Sequence, residues 1–210
     1  MSIKVLVACE ASQKTCCAFR ALGIEAYSCD IQDTYGPHPE WHIKGDCLDI
    51  LNDGWDLVIA HPPCTYLSKC QGNLIFDKDH NVVDPIRYAK GILAADFFRK
   101  CLSCTAPFLC VENPRPLNCW NFPKPDCCIQ PWEFGHPFSK LTCLWLKGLP
   151  PLMPTDIIDP IVCRQWLRSV PGFSKNTKYK QSRLRSETFQ GIADAFASQY
   201  GSFVSAALSK

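Results

Sequence analysis

The sequence predicts an α/β protein: a mostly parallel, Rossmann-like sheet with helices on both faces and an antiparallel pair of strands at one edge. Three observations predict it. Short apolar runs alternate with stretches of helical period, the pattern of βαβ units. Acids stand at the ends of the second and third runs, Asp30 and Asp46. The last two runs, 127–134 and 141–146, are joined only through Gly135-His-Pro137, which is too short for a parallel crossover.

The elements follow in order. Residues 3–9, Ile-Lys-Val-Leu-Val-Ala-Cys, read as a first strand buried on both faces. Glu10-Ala-Ser12 is a turn, with Ser12 expected to cap a helix over about 13–22. That helix is expected to bury Cys17, Ala18, Ala21 and Leu22, and Gly23 stops it. Residues 25–30 and 42–46 are the second and third strands, and a turn of helix lies near 47–52. Leu57 to Ala60 is a buried strand that stops at His61-Pro62-Pro63, because proline lacks the N–H a ladder needs. Residues 69–84 form a long polar loop, a length that usually marks function or mobility. Asp84 as N-cap and Pro85 at the first helical position start a helix to about Cys104. Phe108–Val111 is a further buried strand, followed by Glu112-Asn-Pro114. Residues 149–160 hold four prolines and read as a linker, and 187–200 close the chain as an amphipathic helix.

Composition narrows the class. Apolar residues make up 47% of 210, enough for a real core. The net charge of +2 announces no partner. Charge is local instead: from Arg164 to Arg185 there are seven Lys and Arg and no acid, with Trp166, Phe173 and Tyr179 interleaved. That segment is either a solvated face or a contact to phosphate backbone. No apolar run has membrane length and the N-terminus lacks signal-peptide architecture, so a cytoplasmic protein without membrane contact is expected. Fifteen cysteines in such a chain are mostly small hydrophobes. Cys101 and Cys104 form a CxxC, but no second pair stands at finger-like spacing, so no metal is expected.

Two groups of residues carry chemistry. Cys64 follows the stiff His61-Pro62-Pro63 turn at the carboxyl end of a strand, the edge where open α/β sheets bind ligands. It is a nucleophile candidate; the alternative is one more cysteine capping a loop. The second group is the strand-end acids. Asp30 is placed to bind ribose hydroxyls, and Asp46 to accept from an adenine amino group. The loop Cys9-Glu10-Ala11-Ser12-Gln13 contains no glycine, so a pyrophosphate cradle is absent. An acid-lined adenosine site of this kind fits a sulfonium nucleoside, S-adenosylmethionine (SAM), better than NAD or ATP.

In Asp56-Leu-Val-Ile-Ala-His-Pro-Pro-Cys-Thr-Tyr-Leu-Ser68 the chain resembles the nucleophile motif of the DNA cytosine-5 methyltransferases. Phe108-Leu-Cys-Val-Glu-Asn113 resembles their Glu-Asn motif, Tyr27–Asp30 and His42–Asp46 their second and third motifs, and Glu133–Pro137 with Thr142–Trp145 the segment of their Gln-x-Arg-x-Arg motif. Arg185-Ser-Glu-Thr-Phe-Gln-Gly-Ile-Ala-Asp-Ala resembles their last motif, whose helix returns to the cofactor. The motifs occur in the family's order. The resemblance implies a class I SAM-dependent methyltransferase fold over 1–148, a Pro-rich linker and basic segment at 149–186 in place of a recognition domain, and a helix at 187–210 packing back.

The resemblance also implies roles. Cys64 would be the thiolate that adds to cytosine C6, and Glu112, protonated or sharing a proton, would supply positive charge at N3. The cofactor side would comprise Cys9, Glu10, Ala11, Ser12, Asp30, Ile31, Asp46, Cys47, His61 and Pro62. The substrate side would comprise Pro63, Tyr66, Ser68, Asn113, Arg115, Lys140, Arg183 and Arg185. The expected partner is DNA or another nucleic acid or nucleotide. Only residues 147–186 stand where the family inserts its recognition domain, so a homodimer or a partner protein is the alternative source of recognition. Small proteins of this pattern resemble phage- or virus-encoded methyltransferases. The chain departs from the family in its glycine-free first motif and in Phe138-Ser-Lys-Leu-Thr142, which keeps Lys140 as its one cation. Two further readings stand beside this one: an amino-methyltransferase using His61-Pro62-Pro63-Cys64 to hold an exocyclic amine, and a non-catalytic nucleic-acid- or nucleoside-binding protein.

Overall fold

A computed structural model describes residues 3–159, 161 and 187–209. The basic stretch from Arg164 to Arg185, including Arg183 and Arg185, lies outside the described residues. Seven strands form one sheet: β1 (Lys4–Ala8), β2 (Glu25–Asp30), β3 (His42–Lys44), β4 (Leu57–Ala60), β5 (Phe108–Pro114), β6 (Cys127–Ile129) and β7 (Thr142–Lys147). Their order is β3-β2-β1-β4-β5-β7-β6. All adjacent pairs from β3 to β5 are parallel, and β7 runs antiparallel to both β5 and β6. The expected edge pair is present. The strand expected over 127–134 is shorter, because Pro131 starts a 3-10 turn, Pro131–Glu133.

The helices are α1 (Lys14–Ala21), α2 (Cys47–Ile50), α3 (Pro85–Leu102), α4 (Gln190–Ala195) and α5 (Gly201–Leu208), with a π-helical stretch, Phe196–Tyr200, between the last two. Strand residues alternate between the two faces. Val5, Val7, Leu57 and Ile59 pack with Phe19, Phe196 and Tyr200 on one side. Leu6, Ala8, Val58 and Ala60 pack with Phe98, Leu109 and Val111 on the other. Continuous apolar strands are what burial on both faces requires.

The start of α3 matches expectation: Asp84 accepts from the Arg87 N–H at 2.9 Å and Pro85 occupies the first turn. In α1 the structure corrects two expectations. Its buried residues are Thr15, Cys16, Ala18 and Phe19, while Ala21 and Leu22 are exposed. Its cap is Glu10, not Ser12: the Glu10 carboxylate accepts from the Thr15 and Cys16 N–H groups at 2.7 and 3.1 Å. Ser12 only adds a long contact of 3.4 Å from the Lys14 N–H.

Residues 149–159 are irregular but packed down. The Thr155 and Asp156 N–H groups donate to the Glu133 carbonyl, and Gly135 donates to that of Asp156. The closing helix is fastened beside α1. Lys14 pairs with Glu187 at 2.9 Å, and the Gly191 N–H donates to His136 Nε2 at 2.9 Å. Only glycine fits at 191, because a Cβ there would stand 1.9 Å from the Phe134 carbonyl oxygen. Burial, then the Lys14 charge, holds His136 below its ordinary value, which keeps Nε2 free to accept. Among the described residues no helix is long and apolar enough to cross a membrane.

Candidate active site

Sheet register builds the site. Ala8 is paired with Cys29 of β2 and with Ala60 of β4, and Ala60 with Val111 of β5. The next residue on each of the four strands is Asp30, Cys9, His61 and Glu112. Four residues far apart in sequence therefore stand side by side along one carboxyl edge. The strand order reverses at β1, the switch point at which open α/β sheets form a ligand crevice. A pocket of about 610 Å³ opens there, lined by Cys9, Glu10, Ala11, Ser12, Asp30, Gln32, Tyr35, His61, Pro62, Pro63, Cys64, Thr65, Glu112, Asn113, Pro114, Lys140, Glu187 and Thr188.

One end of the pocket is made where β4 and β5 stop. His61 Nδ1 meets Glu112 Oε2 at 3.1 Å, with side chains only 9% and 15% exposed. Asn113 donates from Nδ2 to the Pro62 carbonyl at 2.7 Å, tying β5 to the Pro-Pro turn. The Leu67 and Ser68 N–H groups donate to the Cys64 carbonyl, folding the loop so that Cys64 stays at the pocket. Burial would raise the Glu112 carboxyl, but the His61 hydrogen bond and the Lys140 charge outweigh it and hold Glu112 below its ordinary value. Burial, then the Glu112 charge, push the Cys64 thiol up, with Lys140 opposing. The free protein thus holds a carboxylate and a thiol. His61, a residue expected on the cofactor side, is the side chain that stands against Glu112. Two buried polar atoms here, His61 Nε2 and Asn113 Oδ1, have no partner among the described residues.

The other end of the pocket is made by the loops after β1 and β2. Cys9 and Gln13 both adopt φ of 60°, the left-handed region that glycine favours. The turn is therefore made without glycine, at a cost of roughly 1–2 kcal/mol per residue. Gln13 offsets part of it. Its buried side chain donates to the His38 carbonyl at 2.7 Å and to Ser28 Oγ at 3.3 Å, and accepts from the His38 N–H at 3.0 Å. Gly36 admits that side chain, since a Cβ there would lie 2.5 Å from Gln13 Oε1. Three hydrogen bonds at about 1 kcal/mol each lead to an expected result: Gln13→Ala lowers unfolding free energy by about 2–3 kcal/mol in a urea titration. An unchanged midpoint would show that the 34–38 loop does not depend on Gln13.

The residues present fit SAM. Glu10 fills the N-terminus of α1 with its own carboxylate, so the helix amides that would bind a phosphate are taken. Asp30 closes a turn through Oδ1 to the Gln32 N–H at 2.9 Å, and its Oδ2 makes no hydrogen bond among the described residues. An oxygen free for a ribose hydroxyl and a pocket without an anion site suit a cationic nucleoside. Gln32 and Tyr35 line the same end and were not among the expected residues. Among the described residues no three His, Cys, Asp or Glu are grouped to hold a metal ion.

Several expected residues stand elsewhere. Asp46 is exposed and caps α2 by accepting from the Leu48 N–H at 3.0 Å. Cys47 is buried behind the pocket, 3.6 Å from Cys9 Sγ. Ile31, next to Asp30, is 72% exposed and outside the lining. Ser68 is buried with its hydroxyl 3.1 Å from Cys70 Sγ. Tyr66 and Arg115 flank the site without lining it. Thr65, Glu187 and Thr188 were missed as lining residues, although the last two lie within the motif quoted for residues 185–195.

No protein-family model matches the chain, and no curated protein matches it. Among solved structures it is similar to a DNMT2 mutant from Spodoptera frugiperda, at 15% identity over 75% of this chain and 54% of that one, with a TM-score of 0.36. It is similar also to the Dnmt2 methyltransferase of S. pombe, at 12% identity over 82% of this chain and 57% of that one, with a TM-score of 0.39. The chain spans little more than half the length of either. Its own strand order, with one reversed strand inside a mostly parallel sheet, is Rossmann-like.

Proposed function

We propose that this protein is a SAM-dependent methyltransferase that acts on C5 of cytosine in nucleic acid through a Cys64 adduct. One observation carries the reading: Cys64, Glu112, His61 and Lys140 converge in a single pocket at the switch point, with Glu112 hydrogen-bonded by His61. SAM, when bound between Glu10 and Asp30, supplies the methyl group. The chain's own residues make cytosine reactive. Cytosine C5 is a poor nucleophile until a thiolate adds to C6 and pushes electron density onto C5. That bond is assigned to Cys64 Sγ, and once C5 carries the methyl group, loss of the C5 proton to solvent breaks the C6–S bond and returns the thiolate. Addition leaves negative charge on the ring, and a proton at N3 neutralises it. The Glu112 carboxylate, held against His61, takes the proton that the Cys64 thiol gives up and passes it to N3, and Lys140 adds positive charge. Water exclusion falls to the Pro62-Pro63 turn, which Asn113 holds rigid. The amino-methyltransferase reading has less support because His61 stands where those enzymes carry an acid, amide or hydroxyl before the two prolines.

The test uses an oligonucleotide containing 5-fluorocytosine. The expected result is a covalent complex, visible by denaturing electrophoresis, that requires both SAM and Cys64. N-methylated nucleosides in digested product would instead identify amino-group transfer. No heat of binding with millimolar S-adenosylhomocysteine would favour a protein that binds without turnover.

A further inference from the structure

Outside the pocket mouth, the loop that carries Cys64 runs directly into a cluster of cations. The Tyr66 ring, two residues on, has the Arg87 guanidinium 5.4 Å and the Lys90 ammonium 5.9 Å from its centroid. Both cations come from the first turns of α3. The Lys69 N–H donates to the Arg115 carbonyl at 2.8 Å, and an isolated bridge pairs Ser68 with Pro116. Lys69 and Arg115, distant in sequence, are thereby brought together at the same loop, and both are exposed. Among the described residues Asp84 is the one acid paired with this group, 4.0 Å from Arg87 Nε, and its other oxygen is spent on the cap of α3. Asp77, at the next turn of the loop, is closed on Asn81.

Exposed apolar side chains flank the cations on α3: Ile86 is 72% and Leu93 71% exposed, one just before Arg87 and the other a turn beyond Lys90. Cations grouped around an aromatic ring, Tyr66, suit a strand whose bases are unstacked and free to lie on protein. A duplex would present only its phosphate walls to this face. The depth of the site points the same way. Glu112 is 15% exposed, so a base must leave its stack to reach it, and a single strand makes that step cheapest.

We propose that Lys69, Arg87, Lys90 and Arg115 form a track that feeds single-stranded nucleic acid to the Cys64 pocket. The proposal rests on the reading of that pocket as a site for nucleic-acid bases. Fluorescence anisotropy of the full chain with a short labelled oligonucleotide, as single-stranded DNA, single-stranded RNA and duplex DNA, tests it. A single strand loses affinity with salt at about 0.7 logarithmic units per phosphate contact, so at about 0.1 M salt each contact is worth roughly fivefold. Arg87→Gln combined with Lys90→Gln is therefore expected to weaken single-strand binding about 25-fold and to lower the salt slope by about 1.4. Lys100→Gln, at the far end of α3 and paired with Asp96, is the control and leaves both unchanged. Wild-type affinity and slope in the double variant would overturn the track, and duplex binding as tight as single-strand binding would overturn its preference. Calorimetry with S-adenosylhomocysteine separates the two readings. Intact cofactor binding with no effect of the double variant removes the track alone; oligonucleotide binding that depends on Arg87 and Lys90 without cofactor binding keeps the track and removes the methyltransferase.

Discussion

Cys64→Ala is expected to reduce methyl transfer by about four orders of magnitude or more, because loss of a covalent nucleophile leaves only binding and electrostatic terms. The same variant should form no complex with 5-fluorocytosine. Stability should stay within about 0.5 kcal/mol of the parent, since the loop is held by main-chain bonds and by Asn113 rather than by the sulfur. Cys64→Ser that transfers methyl groups at the parent rate would end the thiolate mechanism. The raised Cys64 thiol adds a second readout. Alkylation of Cys64 by iodoacetamide, followed by peptide mass mapping, should be slow at neutral pH and rise about tenfold per pH unit as the thiolate forms. A thiol that reacts fully at neutral pH would contradict the position of Cys64 beside a carboxylate.

Glu112→Gln should lower methyl transfer by about 10²- to 10⁴-fold, the range for loss of a proton-handling group. It should also speed alkylation of Cys64 at neutral pH, because the neighbouring negative charge that raises the thiol is gone. A damaged fold does not produce that opposed pair of effects. The stability of the two proteins should diverge with pH in a defined direction. Glu112 is held below its ordinary value of 4.5 in the folded state, so the unfolded chain takes up the proton first as pH falls. Its contribution is complete above about pH 4.5 and is lost below it. The difference between parent and variant in urea unfolding should shrink over that window. His61→Ala should push Glu112 upward, since burial is then opposed by Lys140 alone. The limb of the pH–rate profile that Glu112 sets should move to higher pH with it; an unmoved limb would show that His61 does not govern Glu112.

Local chemistry made some of this legible in the sequence. Leu57–Ala60 was readable as a buried strand because four apolar residues end at two prolines, and α3 because Asp84 and Pro85 make a start signal that needs nothing distant. The cap of α1 was not readable. Ser12 has the usual cap chemistry, but the left-handed turn at Cys9 folds Glu10 back over the Thr15 and Cys16 amides, and a backbone angle leaves no mark on residue identity. The buried face of α1 was misjudged for a related reason. Its partners, Phe196 and Tyr200, come from the other end of the chain, and they select Phe19 over Leu22.

The sequence by itself determined the alternation of strands and helices, the glycine-free first loop, and a cysteine presented by a stiff Pro-Pro turn. These depend on apolar period and on proline's missing N–H, properties of neighbouring residues. Only the tertiary structure decided what that cysteine stands beside. Parallel pairing of Ala8 with Cys29 and Ala60, and of Ala60 with Val111, sets Asp30, Cys9, His61 and Glu112 in one row. Register is fixed by burying both faces of the sheet at once, and a slip of one residue turns every side chain to the opposite face. It is that register that moved His61 from the cofactor end to the Glu112 carboxylate and sent Asp46 away to cap α2.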